Sequence, residues 1–275
     1  MSSPEQIPVV FVNGLWLHHT SWNPWLELFA ARGYAPVAPS WPGEGATVVQ
    51  TRTHPQGMAN RGIAEITDHV ADVIAGLPAT PVVIGHSFGG LIAQRLLAGG
   101  FARACVVMSP AQFRGILALP LPQLESSWPI LHRPDLRKKN WAHTPESFHR
   151  FFANAVPENE SEELFEKYAI PGPTRPVFQV ALSNLTVHSD ATVDTGRERG
   201  PLLLIAATAD RIVPESTVRA AYRIQERNPG VTEFTTLQGR GHSHPIDHGW
   251  RDVADLALDF LTRNHVTATT LTDNP

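Results

Sequence analysis

The chain of 275 residues contains a single cysteine, Cys105. An intrachain disulfide is therefore excluded, and a thiolate-based zinc centre lacks its ligands. Cys105 lies in the apolar run Ala104-Cys105-Val106-Val107-Met108 and reads as a small residue buried in a strand. The opening residues Met1-Ser2-Ser3-Pro4-Glu5-Gln6 lack a basic segment followed by an apolar one, so no signal peptide is expected. No apolar run approaches the roughly 20 residues of a membrane span. The expectation is a cytoplasmic, soluble protein without a membrane partner. Like charges do not gather either. The formal net charge is -4, and the basic run Arg137-Lys138-Lys139 is too short for a nucleic-acid footprint. It reads as a solvated loop or helix end, and no nucleic-acid partner is expected. Internal repeats are absent.

What is present is an alternation. Hydrophobic residues make up 42% of the chain, enough for the core of one large domain. Short β-branched runs alternate with longer helical patterns, which predicts an α/β fold with a mostly parallel, doubly wound sheet. Strands are expected at 8–12, 34–38, 81–86, 103–108, 201–206 and 231–237. Helices are expected at 21–32, 63–77, 88–98, 215–226 and 250–263. Between about 110 and 196 the regularity lapses into Pro-, Trp- and Phe-rich sequence with helical spacing, as in Phe148-Phe151-Phe152. Residues 111–195 are read as a helical lid inserted at the carboxyl edge of the sheet, within one domain spanning 1–275. The alternative is a helical layer that only packs on the core. The polar, Thr-rich tail from about His265 is expected to fray.

Gly85-His86-Ser87-Phe88-Gly89 fits the pattern G-x-S-x-G. Glycine is common enough that the pattern alone is weak. Its setting strengthens it: an apolar strand runs into the motif and a helix runs out, as a nucleophile on a sharp turn requires. Side chains at Gly85 and Gly89 would collide with neighbouring elements there. A serine hydroxyl needs a base, and in this strand–turn–helix setting the partners follow in the order Ser, acid, His. The loop after the last strand, Gly239-Arg240-Gly241-His242-Ser243, supplies His242. His244 and His248 are its competitors. A metal site from His242, His244 and His248, with Asp247, is conceivable on paper but has no further carboxylate or cysteine to support it. Asp210, at the end of the strand before, is the acid that would orient His242, against a plain turn-capping role. Backbone N–H groups of Phe88 and of the loop Asn13-Gly14-Leu15-Trp16 would form an oxyanion hole, with Leu15 preferred to Trp16 as the second donor. Trp16, Trp41, Trp128, Trp141, Phe148 and Phe152, with Phe88, are the aromatic candidates for an apolar pocket, although such residues also build cores.

Together these residues resemble the α/β-hydrolase superfamily over Val9 to Leu261. The closest motif is Gly85-His86-Ser87-Phe88-Gly89-Gly90, similar to the esterase, lipase and cofactor-free haloperoxidase branch. Phe11-Val12-Asn13-Gly14-Leu15-Trp16 resembles that superfamily's oxyanion segment, with Asn13 where histidine is usual. Pro39-Ser40-Trp41-Pro42-Gly43-Glu44-Gly45 resembles its Asp-x-x-Gly-x-Gly turn, with Ser40 where aspartate is common. The resemblance implies a serine hydrolase with the triad Ser87, Asp210 and His242, acting on a small-molecule ester without cofactor or metal. A serine at the elbow also argues against the dehalogenase and epoxide-hydrolase members, which use aspartate there. The same triad would equally serve perhydrolysis, lactone opening or acyl transfer. A non-catalytic receptor on the same scaffold is a further alternative, although such proteins often lose a triad member, and none is lost here.

Overall fold

The apolar runs Pro8–Val12 (β1), Val82–His86 (β3), Ala104–Met108 (β4) and Leu202–Ala207 (β7) are buried at every position. Strands buried on both faces read as continuous apolar sequence, and these lie at the centre of a parallel sheet. The computed structural model describes residues 6–267. Six parallel strands follow the order β2-β1-β3-β4-β7-β8, where β2 is Ala35–Val37 and β8 is Thr232–Leu237. The antiparallel pair Asn140–Trp141 (β5) and Gly172–Pro173 (β6) stands apart from the sheet. The partly exposed strands β2 and β8 form the sheet's edges.

Helices cover both faces, because alternate strand residues point to opposite sides. Val9, Phe11, Ile84, Val106 and Ile205 pack with Trp25 and Phe29 of α1 (Asn23–Ala31) and with Val253, Ala257 and Leu261 of α10 (Trp250–Arg263). Val10, Val83, Cys105 and Leu204 pack on the other face, against α3 (Ile63–Ala75), α4 (Phe88–Ala98) and α9 (Glu215–Gln225). Each large apolar side chain buried in these layers contributes about 1.5–3 kcal/mol. Cys105 is fully buried, and burial pushes its thiol well above its ordinary pKa.

Three details differ from the expectation. The α1 helix begins at Asn23, after a 3-10 turn over His19–Trp22, because Pro24 fits only the first turn of an α-helix. A short helix not foreseen, α2 (Val48–Thr53), is started by Thr47, whose side chain accepts from the Gln50 N–H. The chain past His265 does not fray at once: Val266 is buried, and the Tyr34 hydroxyl donates to its carbonyl at 2.8 Å. The rest of the polar tail, from 268, lies outside the described residues.

Between β4 and β7 the chain leaves the sheet. This stretch carries α5 (Leu121–Leu131), the single turn α6 (Pro145–Ser147), α7 (Glu158–Tyr168) and α8 (Arg175–Ala181). A separate apolar cluster, with Phe148, Phe152, Leu164 and Tyr168, packs this segment around Leu17 of the loop after β1.

Candidate active site

β3 ends at His86 and α4 begins at Phe88, which leaves one residue, Ser87, to make the turn. Ser87 adopts φ 54° and ψ -121°, a region that residues with side chains rarely occupy. Its surroundings hold it there. The Ser87 N–H donates to Met108 O at 3.0 Å, and its carbonyl accepts from Gly90 at 2.9 Å and Ala111 at 2.8 Å. Two glycines make the turn possible. A Cβ on Gly89 would lie 2.0 Å from the Val12 carbonyl oxygen, and one on Gly14 would lie 2.7 Å from Ser87 Cβ. The loop after β1 therefore passes directly over the serine.

The loops that follow β7 and β8 are stitched together. Thr208 N donates to Leu237 O and Ala209 N to Arg240 O, at 3.0 and 2.9 Å. Asp247 accepts from the Ser243 hydroxyl at 3.0 Å and pairs with Arg240, which fixes the turn carrying His242. Across the two loops His242 Nδ1 donates to Asp210 Oδ2 at 2.7 Å, with both side chains fully buried. The other Asp210 oxygen accepts from the Ile212 and Val213 N–H groups at 2.9 and 2.8 Å. Burial opposes the charge on Asp210, but His242 and these bonds outweigh it and hold its pKa below the usual carboxylate value. A carboxylate on Nδ1 keeps the proton there and leaves Nε2 with its lone pair. That Nε2 is buried and makes no hydrogen bond.

Rings enclose this imidazole. His86 lies 4.5 Å away, centroid to centroid, and Phe152 meets it edge-on at 4.8 Å. His143 and His244 are buried and neutral; desolvation lowers their pKa values to about 3 and about 4. His244, the nearer competitor for the base, turns its Nδ1 to Gly241 O at 2.8 Å. His248 is exposed and pairs with Glu160. The set His242, His244 and His248 is thus not gathered for a metal. Among the described residues, His18, His19 and Glu44 do bring one ligand atom each within 4.8 Å of one another. Hydrogen bonds already account for that cluster: His19 Nδ1 meets Glu44 Oε1 at 2.8 Å, and His18 Nε2 meets Gly45 O at 3.0 Å.

The N–H of Phe88 opens a helix and has no partner among the described residues. Those of Leu15 and Trp16 also donate to no other group among the described residues. Asn13 braces this loop by donating to Leu17 O at 2.6 Å. The Ser40 carbonyl accepts from His69 Nε2 at 3.0 Å.

A cavity of about 90 Å³ opens on Ser87, Phe88 and Trp16, and its far walls come from Ala111, Val177 and Val180 of the inserted segment and from Ile212. Of the seven aromatic candidates, Trp16 and Phe88 line it. Trp41 is buried in the core beside α3. Trp141 packs edge-on behind Trp16 at 5.4 Å. Phe148 and Phe152 stack on each other at 4.8 Å, in the cluster behind His242. Trp128 is 64% exposed and stacks on His132. The cavity's polar lining, Gln112 and Gln123 with Ser126 and Ser127, was not foreseen from the sequence. Gln112 lies just beyond β4, at the carboxyl edge of the sheet, and that position was the available signal.

Residues 9–256 match the alpha/beta hydrolase family. The chain belongs to that family. Solved structures share the fold of this alpha/beta hydrolase. A monoacylglycerol lipase from Paleococcus ferrophilus superimposes with a TM-score of 0.68 at 19% identity, over 95% of this chain and 96% of the other. A methylesterase from Arabidopsis gives 0.63 at 15%, over 94% and 99%. A pyrethroid hydrolase from Sphingobium faniae JZ-2 gives 0.61 at 17%, over 94% and 98%. No curated protein matches by sequence. Among the described residues, no helix is long and apolar enough to cross a membrane.

Proposed function

We propose that this alpha/beta hydrolase cleaves carboxylic esters of small to medium, apolar acyl groups through an acyl-enzyme on Ser87. The observation that carries the reading is the buried Asp210–His242 pair with its unoccupied Nε2, together with a strained serine that opens on an apolar cavity. Ser87 Oγ attacks the ester carbonyl while His242 Nε2 takes its proton. Asp210 keeps the imidazole in the right tautomer and offsets its charge. The free N–H groups of Phe88 and Leu15 receive the oxyanion. The carbon–oxygen bond to the alcohol then breaks as His242 returns the proton to the leaving oxygen. Water, deprotonated by the same imidazole, attacks the acyl carbonyl and releases acid and serine. No step calls for a cofactor. Residues 111–195 act as a cap, since they close the cavity opposite Ser87. The esterase and lipase neighbours have the same fold and agree with the reading.

The test is a small aryl ester assay on the wild type and on Ser87→Ala. Removing the serine is expected to lower kcat by at least about 10³-fold, with loss of fluorophosphonate labelling. Wild-type turnover by Ser87→Ala refutes the mechanism. A folded wild type that fails to label favours a non-catalytic receptor.

A further inference from the structure

The α5 helix is built the wrong way round for a helix that packs on a protein and faces water. Through its first two turns and beyond, the apolar residues Leu121, Leu124 and Trp128, at i, i+3 and i+7, are 68%, 41% and 64% exposed, and only at its last turn does an apolar side chain, Ile130, turn fully inward. Its polar residues Gln123, Ser126 and Ser127 turn inward and line the cavity. An amphipathic helix in water does the opposite.

The outward stripe does not stand alone. Leu117 and Leu119, just before α5, are 77% and 59% exposed, and Leu185 and Val187, after α8, are 81% and 79% exposed. Asn184 ties the two stretches together, accepting from Gly115 N at 2.7 Å and donating to Ile116 O at 2.8 Å. Among the described residues, eight of the eleven exposed large hydrophobic residues thus fall within 117–128 and 182–187. An apolar patch concentrated in this way marks an interaction surface. Two further observations choose its occupant. Leu119 and Leu124 belong both to the patch and to the lining of the cavity that holds Ser87, so the patch is the rim of the cavity mouth. Within 111–141, five arginines and lysines face two acidic residues, although the whole chain carries -4. Four of those cations, Arg133, Arg137, Lys138 and Lys139, follow the last turn of α5. Leucines and a tryptophan flanked by cations fit a lipid surface with anionic head groups.

We infer that the outer face of α5, with the 182–187 segment, docks on an anionic lipid surface, so that apolar esters dissolved there enter the cavity from the lipid side. This deepens the ester-hydrolase reading and rests on it. The full chain is mixed with phosphatidylcholine vesicles, with or without about 30 mol% phosphatidylglycerol, and sedimented. The wild type is expected to partition onto the vesicles, more strongly with the anionic lipid. The double variant Leu121→Asp, Leu185→Asp changes two exposed positions outside the cavity. It should bind vesicles at least about tenfold more weakly, yet hydrolyse a dissolved short-chain aryl ester at the wild-type rate. An ester delivered in vesicles should be cleaved correspondingly more slowly by the variant alone. Equal partitioning of the two proteins, or none by the wild type, overturns the inference. So does a wild-type dimer that the double variant breaks, because the patch is then a contact between copies. If neither protein cleaves the dissolved ester, the ester-hydrolase reading fails, and vesicle partitioning still decides the docking surface.

Discussion

At Ser87 a single residue carries the whole reversal from strand to helix, and its φ of 54° is held by bonds to Met108, Gly90 and Ala111. Small changes beside it should therefore be felt as lost chemistry rather than lost fold. Gly14→Ala puts a methyl group 2.7 Å from Ser87 Cβ. Shifting the serine by a fraction of an ångström is expected to lower kcat by about 100-fold, while the overpacking costs about 1–3 kcal/mol of stability; steady-state kinetics beside thermal melts check this. Asp210→Asn keeps the shape of the buried pair but allows the other imidazole tautomer. It is expected to lower kcat by about 10⁴-fold while KM for a small aryl ester moves little. The placement of these residues was legible in the sequence because each stands at a strand's carboxyl end, where the turn chemistry is strict. The brace that Asn13 gives the overlying loop was not legible, since it depends on how the loop folds back on Leu17.

At the level of elements, the sheet strands and their crossover helices were readable almost to the residue. Val9 to Val12, Val82 to Ile84 and Leu202 to Leu204 are apolar in both alternations, which only a doubly covered strand requires. The inserted segment was readable as helical but not in its facing. Its aromatic residues could have lined the cavity or packed among themselves, and spacing does not separate the two. Phe148 and Phe152 pack among themselves, and Phe152 sets its edge against His242. That contact joins the insertion to the imidazole. Phe152→Ala is expected to destabilise the fold by about 3–5 kcal/mol and also to lower kcat, because His242 gains freedom to tilt. Denaturant melts and kinetics measured on the same preparation separate the two effects. Unchanged kcat in the folded variant contradicts the positioning role.

For the molecule as a whole, the buried histidines set how stability responds to acid. In the folded chain His143 and His244 accept a proton only near about pH 3 and about pH 4, chiefly because burial disfavours the charge. In the unfolded chain they do so near about 6.5. As pH falls below that value the unfolded state binds protons that the folded state refuses, so stability is lost progressively down to the folded values. Each histidine adds a slope of up to about 1.4 kcal/mol per pH unit within its window. Tm should accordingly drop between about pH 6.5 and about pH 4.5, and His143→Leu should flatten that drop. An identical slope in the variant counts against the assignment. The sheet order has a consequence in time as well. β4 pairs with β7 only after the chain has travelled from Met108 to Leu202. A ribosome emits Ser87 long before Asp210 and His242, so on the proposed mechanism the nascent chain would hold its serine without the imidazole that activates it. On that reading the chain would be born silent and would gain reactivity only when its last two sheet strands dock.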